Sequence, residues 1–185
     1  MQEDKSENAD YTINPILKDP EMQEYIPVGK NLLTPPFMYC ICGTRFVGKS
    51  SVCLNMVLKK FPFYLGAFDR IILISPTLKH DSTSRELVKY IGDDNAFDYY
   101  DDSIISALID HNKSLPKELR EKILIIADDL PAMNVPMNSL LYTTIPCAGR
   151  HFGISAIFLT QIFRGNNVGL PPPTRNNIEG LLVFR

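Results

Sequence analysis

The sequence contains no tryptophan, only three histidines, and four cysteines that form no CxxC pair. Neither the cysteines nor the histidines have the spacing of a zinc site, and a mini-protein held together by disulfides is excluded. We expect all four cysteines to be small buried hydrophobic residues in a protein that occupies a reducing compartment. They are Cys40, Cys42, Cys53 and Cys147.

Long apolar runs are also missing, since none approaches the roughly 18 residues that cross a bilayer, and we expect no membrane span. The first five residues, Met1 to Lys5, are polar and acidic, unlike a secretory signal peptide. A large excess of charge is absent too, because 19 Lys and Arg oppose 21 Asp and Glu for a net charge of −2. With 185 residues, of which 45% are hydrophobic and 22% charged, the chain has the composition of one globular domain.

The first 36 residues differ from the rest of the chain. They contain seven acids and five prolines, and Pro35-Pro36 ends the segment. This composition predicts a leader over residues 1–36 that is disordered or wrapped on the surface. Residues 37–185 would form the folded domain. Because the chain stops directly after an apolar segment, we expect that domain to be truncated at its C-terminus.

Five short apolar segments are typical of buried strands, and helical patterns separate them. Continuous apolar strands alternating with helices predict an α/β fold, with a mainly parallel five-stranded sheet covered on both faces. The strand segments are 37–42, 70–75, 123–127, 154–160 and 180–184. The helical segments are 49–60, 84–91, 103–111 and 136–150, and residues 165–177 are predicted to form a loop.

A phosphate-binding loop follows the first strand. Residues 43–50 (GTRFVGKS) match G-x-x-x-x-G-K-[ST] at every fixed position, between a buried strand and a helix. Glycines let backbone amides face phosphate oxygens, and the helix N-terminus adds positive charge. Lys49 would bind the β and γ phosphates and Ser50 would ligate Mg²⁺, so the expected cofactors are ATP and Mg²⁺. The predicted nucleotide-binding residues are Gly43, Thr44, Arg45, Phe46, Val47, Gly48, Lys49, Ser50 and Ser51.

Two adjacent acids end the third strand, as in a Walker B motif. Four aliphatic residues and an alanine (residues 123–127) precede Asp128 and Asp129. Asp128 is predicted to hold Mg²⁺ through water, with Ser50 as the other metal ligand. Asp129 is predicted to orient the attacking water and accept its proton. The alternative is that both acids begin a loop and cap the next helix.

Three further polar residues are catalytic candidates. Gln161 follows the fourth strand, at the edge where α/β sheets bind ligands, and would read the γ phosphate or orient the water. Arg150 and Arg175 are the first and second candidates for an arginine that stabilises transition-state charge, a group often supplied by a neighbouring subunit. The alternatives are a surface glutamine and ordinary surface or DNA-facing arginines.

Taken together, these motifs resemble the poxvirus-type DNA-packaging ATPases of large cytoplasmic DNA viruses, within the FtsK–HerA superfamily of P-loop NTPases. The more specific part of the resemblance is the segment from Gly149 to Ser155 that leads to Thr160-Gln161. It covers roughly residues 37–185 and implies the additional-strand topology, with sheet order 5-1-4-3-2. The superfamily often has Glu where this chain has Asp129.

The resemblance implies Mg-dependent ATP hydrolysis that drives double-stranded viral DNA into a capsid. It also implies a homo-oligomeric ring, a capsid or portal-like protein as partner, and location in the host cytoplasm (the viral factory), the virion or both. Two alternatives remain open: a cellular-type DNA pump or conjugative coupling ATPase, and a nucleotide-binding scaffold subunit without turnover. Intact Lys49, Ser50, Asp128 and Asp129 argue against the scaffold.

The distribution of charge allows a DNA partner even though the total does not suggest one. Residues 30–70 hold six bases against one acid, and residues 130–185 hold four arginines against one acid. The acids concentrate in residues 1–29, with seven acids and two lysines, and in residues 93–102, with five acids and no base. We therefore expect any contact with DNA to be local and independent of base sequence.

Overall fold

The computed structural model describes residues 32–59, 63–165 and 169–184. Strands and helices alternate along this part of the chain. In order they are β1 (Met38–Cys42), α1 (Lys49–Leu58), β2 (Arg70–Ile74), α2 (Ser82–Ile91), β3 (Ala96–Phe97), α3 (Asp102–Ser114), β4 (Ile123–Asp128), α4 (Leu140–Ala148), β5 (Ile154–Thr160), α5 (Pro172–Asn176) and β6 (Gly180–Val183).

The strands form one sheet in the order β3-β2-β4-β5-β1-β6, and every pair is parallel. The predicted order of the five longer strands is confirmed, and β5 separates the phosphate-loop strand β1 from the acidic strand β4. This is the additional-strand arrangement of a P-loop NTPase fold. The predicted number of strands is wrong, because the two-residue β3 pairs with Leu73 and Ile74 at one edge. Two residues are too few to show a periodic pattern in the sequence.

Successive side chains of the central strands pack alternately into two separate hydrophobic cores. Ile123 and Ile125 of β4 pack into the core that includes residues of α3 and α4, whereas Leu124 and Ile126 pack into the core that includes residues of α1 and α2. Side chains alternate across a strand, so a run that is apolar at every position fills both faces of a covered sheet. All seven residues of β5 are buried.

Two elements differ from the pattern predicted for residues 136–177. The helix predicted from residue 136 begins at Leu140, because Ser139 is its N-cap and a turn precedes it. The predicted loop contains α5, which begins at Pro172, where the fixed φ of proline suits the first helical turn. The hydroxyl of Thr174 donates to the carbonyl of Tyr142 at 2.8 Å and ties α5 to α4.

The N-terminal leader falls mostly outside the described residues, which begin at Leu32. Leu32 and Leu33 pack against the core on the α1 side, and the hydroxyl of Tyr64 donates to the carbonyl of Leu33 at 2.8 Å. The last part of the predicted leader therefore contacts the folded domain.

Three of the four cysteines are buried, as predicted. Burial raises the pKa of Cys40 and of Cys53 to about 12, so both thiols are neutral core groups. The prediction for Cys147 is wrong, because it lies exposed on the last turn of α4. Across the described ranges, no helix has both the length and the apolar character needed to cross a membrane.

Candidate functional site

A cleft of about 450 Å³ opens at the carboxyl ends of β1, β2, β4 and β5. In a parallel sheet these ends share one edge, which is where α/β proteins bind ligands. The residues that line it come from the phosphate loop and α1, from the loop after β2, and from the ends of β4 and β5. They are Arg45, Phe46, Lys49, Ser50, Thr77, His80, Asp81, Asp128, Asp129, Leu159, Thr160 and Gln161.

The phosphate loop ends in an uncapped helix N-terminus. Gly48 is the N-cap of α1 with φ 95°, a left-handed conformation that favours glycine, and it has no side chain with which to cap the helix. No acidic residue lies in the first turn. No N-cap side chain therefore accepts from the backbone amides of this turn, which leaves them suited to an anion. Gly43 lies so close to the end of the chain that an added Cβ would lie 2.8 Å from the Cβ of Phe184.

Lys49 lies over its own loop. Its Nζ donates to the carbonyls of Gly43 and Thr44, both at 2.9 Å. These contacts hold the ammonium group at the cleft, beside the first turn of α1. Of the nine residues predicted to bind nucleotide, Arg45, Phe46, Lys49 and Ser50 line the cleft. Gly43, Thr44, Val47, Gly48 and Ser51 do not line it, and the first four of them set the course of the loop.

Phe46 has an unusual position at the tip of the loop. Its φ is 63°, which bulky residues rarely adopt, and its side chain is fully exposed although it is aromatic. The aromatic ring therefore stands at the mouth of the cleft instead of in a core.

Asp128 ends β4 and is mostly buried. The hydroxyl of Ser75, at the end of the neighbouring β2, donates to Asp128 Oδ2 at 3.2 Å. Burial raises the pKa of Asp128 to about 6, the negative charges of Asp129 and Asp81 add to this effect, and Ser75 and Lys49 oppose it. Protein groups alone therefore compensate the negative charge of this carboxylate poorly, and a bound cation would compensate it.

Asp129 and Gln161 face each other across the strand ends. Asp129 has a left-handed φ of 45°, and its backbone N–H donates to the carbonyl of Leu159 at 3.1 Å. The Nε2 of Gln161 lies 3.4 Å from both Asp129 Oδ1 and Oδ2. The structure therefore brings together the two residues that the sequence proposes as partners of an attacking water.

The loop after β2 forms a wall of the cleft that the sequence analysis missed. Thr77, His80 and Asp81 line it, and Asp81 also caps α2 by accepting from the backbone and hydroxyl of Ser84 at 2.8 and 2.9 Å. A signal was present in the sequence, because these residues follow the carboxyl end of a strand, at the same edge as the acids.

The two candidate arginines lie elsewhere. Arg150 precedes β5 and lines a separate cavity of about 310 Å³ with Met38, the first residue of β1. A seven-residue strand puts about 20 Å between the two sheet edges, so Arg150 does not reach the cleft of its own chain. Arg150 could therefore have its predicted catalytic role only at the cleft of another subunit. Arg175, on α5, does not line the cleft either, and its guanidinium donates to the carbonyl of Leu170.

The donor set of the cleft fits a nucleotide with Mg²⁺. The helix N-terminus and Lys49 provide amides and a cation for phosphates, and Ser50 and Asp128 provide the oxygen ligands that Mg²⁺ prefers. In the part of the chain that the structure describes, no three His, Cys, Asp or Glu side chains gather into a metal cluster.

No protein-family model and no curated protein matches the sequence. Among solved structures, the chain is similar to the cytoplasmic domain of EssC, with a TM-score of 0.52 and 18% identity over 80% of this chain. It is also similar to a chain named ATPase (TM-score 0.48, 17% identity, 79% of this chain) and to the N-terminal domain of zonular occludens toxin from Neisseria meningitidis (TM-score 0.45, 15% identity, 80% of this chain). The matches cover 31%, 64% and 76% of those chains. The likeness to EssC shows a shared fold.

Proposed function

We propose that this chain hydrolyses ATP in a Mg²⁺-dependent reaction at the cleft described above. The observation that carries the proposal is the convergence of Lys49, Ser50, Asp128, Asp129 and Gln161 on that cleft from three separate chain segments. These residue types provide phosphate binding, metal ligation and activation of water, the three requirements of phosphoryl transfer to water.

The phosphate loop and the end of β4 bind the nucleotide and the metal. Bound Mg-ATP supplies the phosphoanhydride bond and a divalent charge that reduces repulsion among the phosphates. Lys49 and the amides at the start of α1 bind phosphate oxygens. Ser50 and Asp128 hold the metal, with Asp128 acting through a water molecule.

Asp129 and Gln161 activate the attacking water. Asp129 accepts the proton of the attacking water at its carboxylate, and the amide of Gln161, which faces both carboxylate oxygens, orients that water. Arg150 of a neighbouring subunit, or else Arg175 of that subunit, stabilises the charge that develops on the phosphoryl oxygens.

We further propose that hydrolysis drives double-stranded DNA into a viral capsid. Support comes from the resemblance of residues 149–161 to the packaging ATPases, and from the bases that concentrate in residues 30–70 and 130–185. On this proposal the chain acts in a homo-oligomeric ring that binds DNA without sequence preference and docks on a capsid or portal-like protein. It would work in the host cytoplasm, in the virion, or in both.

The test is ATPase activity of the full chain with and without double-stranded DNA, combined with its mass in solution. We expect turnover that needs Mg²⁺, rises with DNA and disappears in Lys49→Ala. Lys89→Ala is the matched control, because Lys89 is an exposed lysine on α2 that pairs with Glu86 at 2.7 Å. Nucleotide binding without turnover in the assembled protein would overturn the enzyme proposal in favour of the scaffold.

A further inference from the structure

Ser75 is a completely buried serine directly after β2, beside the predicted metal-binding acid. Ile74, the residue before it, pairs with Ala127, the residue before Asp128, so Ser75 and Asp128 leave the sheet side by side. The backbone N–H of Ser75 donates to the carbonyl of Phe97 at 3.0 Å, which fixes the end of β2 against β3. A hydroxyl buried at such a place requires a partner, because an unpaired one is costly.

The contacts of this hydroxyl form a short chain with a fixed direction. Ser75 Oγ lies 3.2 Å from Asp128 Oδ2 and 3.1 Å from the Oγ1 of Thr77. An ionised carboxylate only accepts hydrogen bonds, so the single proton of Ser75 goes to Asp128. Thr77 must then donate its own proton to Ser75. The order Thr77 to Ser75 to Asp128 follows from the chemistry of the three groups.

This series of hydrogen bonds gives the two carboxylate oxygens of Asp128 different environments. Oδ2 is engaged by Ser75, whereas Oδ1 has no hydrogen-bond partner among residues 32–59, 63–165 and 169–184. A carboxylate fixed by one oxygen is held in one rotamer and presents the other oxygen to a ligand. Hydrogen bonds of this kind orient metal-binding groups, and their loss weakens metal affinity.

We propose that Ser75 is a positioning residue for Asp128, held in place by Thr77, and that it sets the affinity of the cleft for Mg²⁺ in the presence of nucleotide. The inference rests on the proposed function, since it takes Asp128 as the metal-binding acid. It adds that the loop after β2, which carries Thr77, His80 and Asp81 along the cleft, is joined to that acid through Ser75.

The experiment measures the binding of a fluorescent, non-hydrolysable ATP analogue to the full chain at increasing Mg²⁺, and again in EDTA. In Ser75→Ala we expect the Mg²⁺ concentration for half-maximal effect to rise about tenfold, with binding in EDTA unchanged. Ser155→Ala is the matched control. Ser155 is also a completely buried serine, and its Oγ accepts from the N–H of Phe37 at 3.2 Å at the opposite end of β5. It should lose thermal stability and keep the Mg²⁺ dependence.

Thr77 supplies a second variant that does not depend on burial. Thr77→Val removes the hydroxyl proton donated to Ser75 and keeps the backbone N–H of Thr77, which also donates to Ser75 Oγ, at 3.4 Å. It should raise the half-maximal Mg²⁺ concentration about threefold, whereas Thr77→Ser should restore it. In a Ser75→Ala background, Thr77→Val should have no further effect. An additive effect would show that Thr77 acts independently of Ser75, and it would overturn the proposed hydrogen-bond series from Thr77 through Ser75 to Asp128.

The outcomes separate the two proposals. If the parent protein binds the analogue with no response to Mg²⁺, the metal site itself is wrong and the inference fails with it. If analogue binding to the parent protein depends on Mg²⁺, and Ser75→Ala and Thr77→Val have the same half-maximal Mg²⁺ concentration as the parent, the ATPase proposal stands. The positioning role of Ser75 is then overturned.

Discussion

Gln161 donates its side-chain amide toward both carboxylate oxygens of Asp129, at 3.4 Å each, from the neighbouring strand end. The sheet order accounts for this, because β5 pairs with β4 in a register that puts Leu159 opposite Asp128. Asp129 directly follows Asp128 and Gln161 lies two residues after Leu159, so both side chains lie just beyond the same edge of the sheet. Both contacts are long for hydrogen bonds, which leaves Asp129 weakly held and accessible as a proton acceptor.

We predict that Asp129 and Gln161 act as one unit in hydrolysis. Asp129→Asn should lower kcat by a factor of about 100 or more, because the amide cannot accept the proton of the water. Gln161→Ala should lower kcat with little change in nucleotide affinity. The double variant should be no slower than Asp129→Asn, since residues that share one function are not additive. Steady-state kinetics of the full chain measure all three, and additive losses would contradict the shared role.

We predict that Gly48 and Gly66 differ in function although they are equal in strain. Their φ values are 95° and 80°, and an added Cβ would meet no atom within 4 Å at either position. Each Gly→Ala change should therefore lower the free energy of unfolding by about 1 kcal/mol, through backbone conformation alone. Only Gly48→Ala should weaken nucleotide binding, because Gly48 leads into the first turn of α1. Equal nucleotide affinity in the two variants would rule out this use of the loop.

We predict that Asp128→Asn makes the protein more stable at pH 7. The pKa of Asp128 is raised from 3.8 to about 6, mainly by burial, so the folded protein holds this proton more tightly than the unfolded chain. The resulting stability is present below pH 4 and is lost as the pH rises through 6, after which the carboxylate costs about 3 kcal/mol. Asparagine avoids this cost and still accepts from Ser75.

Urea unfolding of both proteins between pH 4 and 8 measures this effect, and the variant should show less loss of stability with pH. Asp98→Asn is the control, because Asp98 is an exposed acid paired with Lys79 at 2.6 Å, and its removal should not stabilise the protein. Added Mg²⁺ and nucleotide should stabilise the parent protein more than Asp128→Asn. A less stable Asp128→Asn at pH 7 would show that the carboxylate is already compensated.

We predict that Arg150 serves a second subunit, because it lies at the sheet edge opposite its own cleft. Neither Arg150→Ala nor Asp129→Asn should be active alone. Mixed oligomers should recover part of the activity, at interfaces where an intact Arg150 meets an intact Asp129. Recovery at no mixing ratio would contradict supply by a neighbour. Lys89→Ala mixed with Asp129→Asn gives the reference for simple dilution.

The sequence pattern allowed the five longer strands and the meeting of Lys49 with Asp128 to be predicted, whereas the order of the strands was implied by the resemblance to the packaging ATPases. Apolar runs that fill both faces are specific to covered parallel sheets, and such sheets bring their carboxyl ends to one edge. The same rule places Arg150 at the opposite edge of the sheet, because Arg150 precedes a strand. Its predicted catalytic role came instead from the arginine that phosphoryl-transfer sites often receive from a neighbouring subunit.

Other features depend on tertiary contacts that leave little trace in the sequence. The two residues of β3 gain their strand character only by pairing with β2. Thr77 and Asp81 reach the cleft because their loop turns back over the strand ends before α2 begins at Ser82. Cys147 has the same neighbours in sequence whether α4 turns it inward or outward, and only the packing of α4 settles that it is exposed.

The central place of β5 divides the cleft into a stiff side and a compliant side. β5 is buried throughout and bonded to strands on both flanks, so Gln161 directly follows the part of the sheet that we expect to open last. Residues 75–81 are bounded on their outer side by a strand of two residues. We therefore expect residues 75–81 and α2 to move more readily than β5 when nucleotide binds, and amide exchange there should be the first to respond.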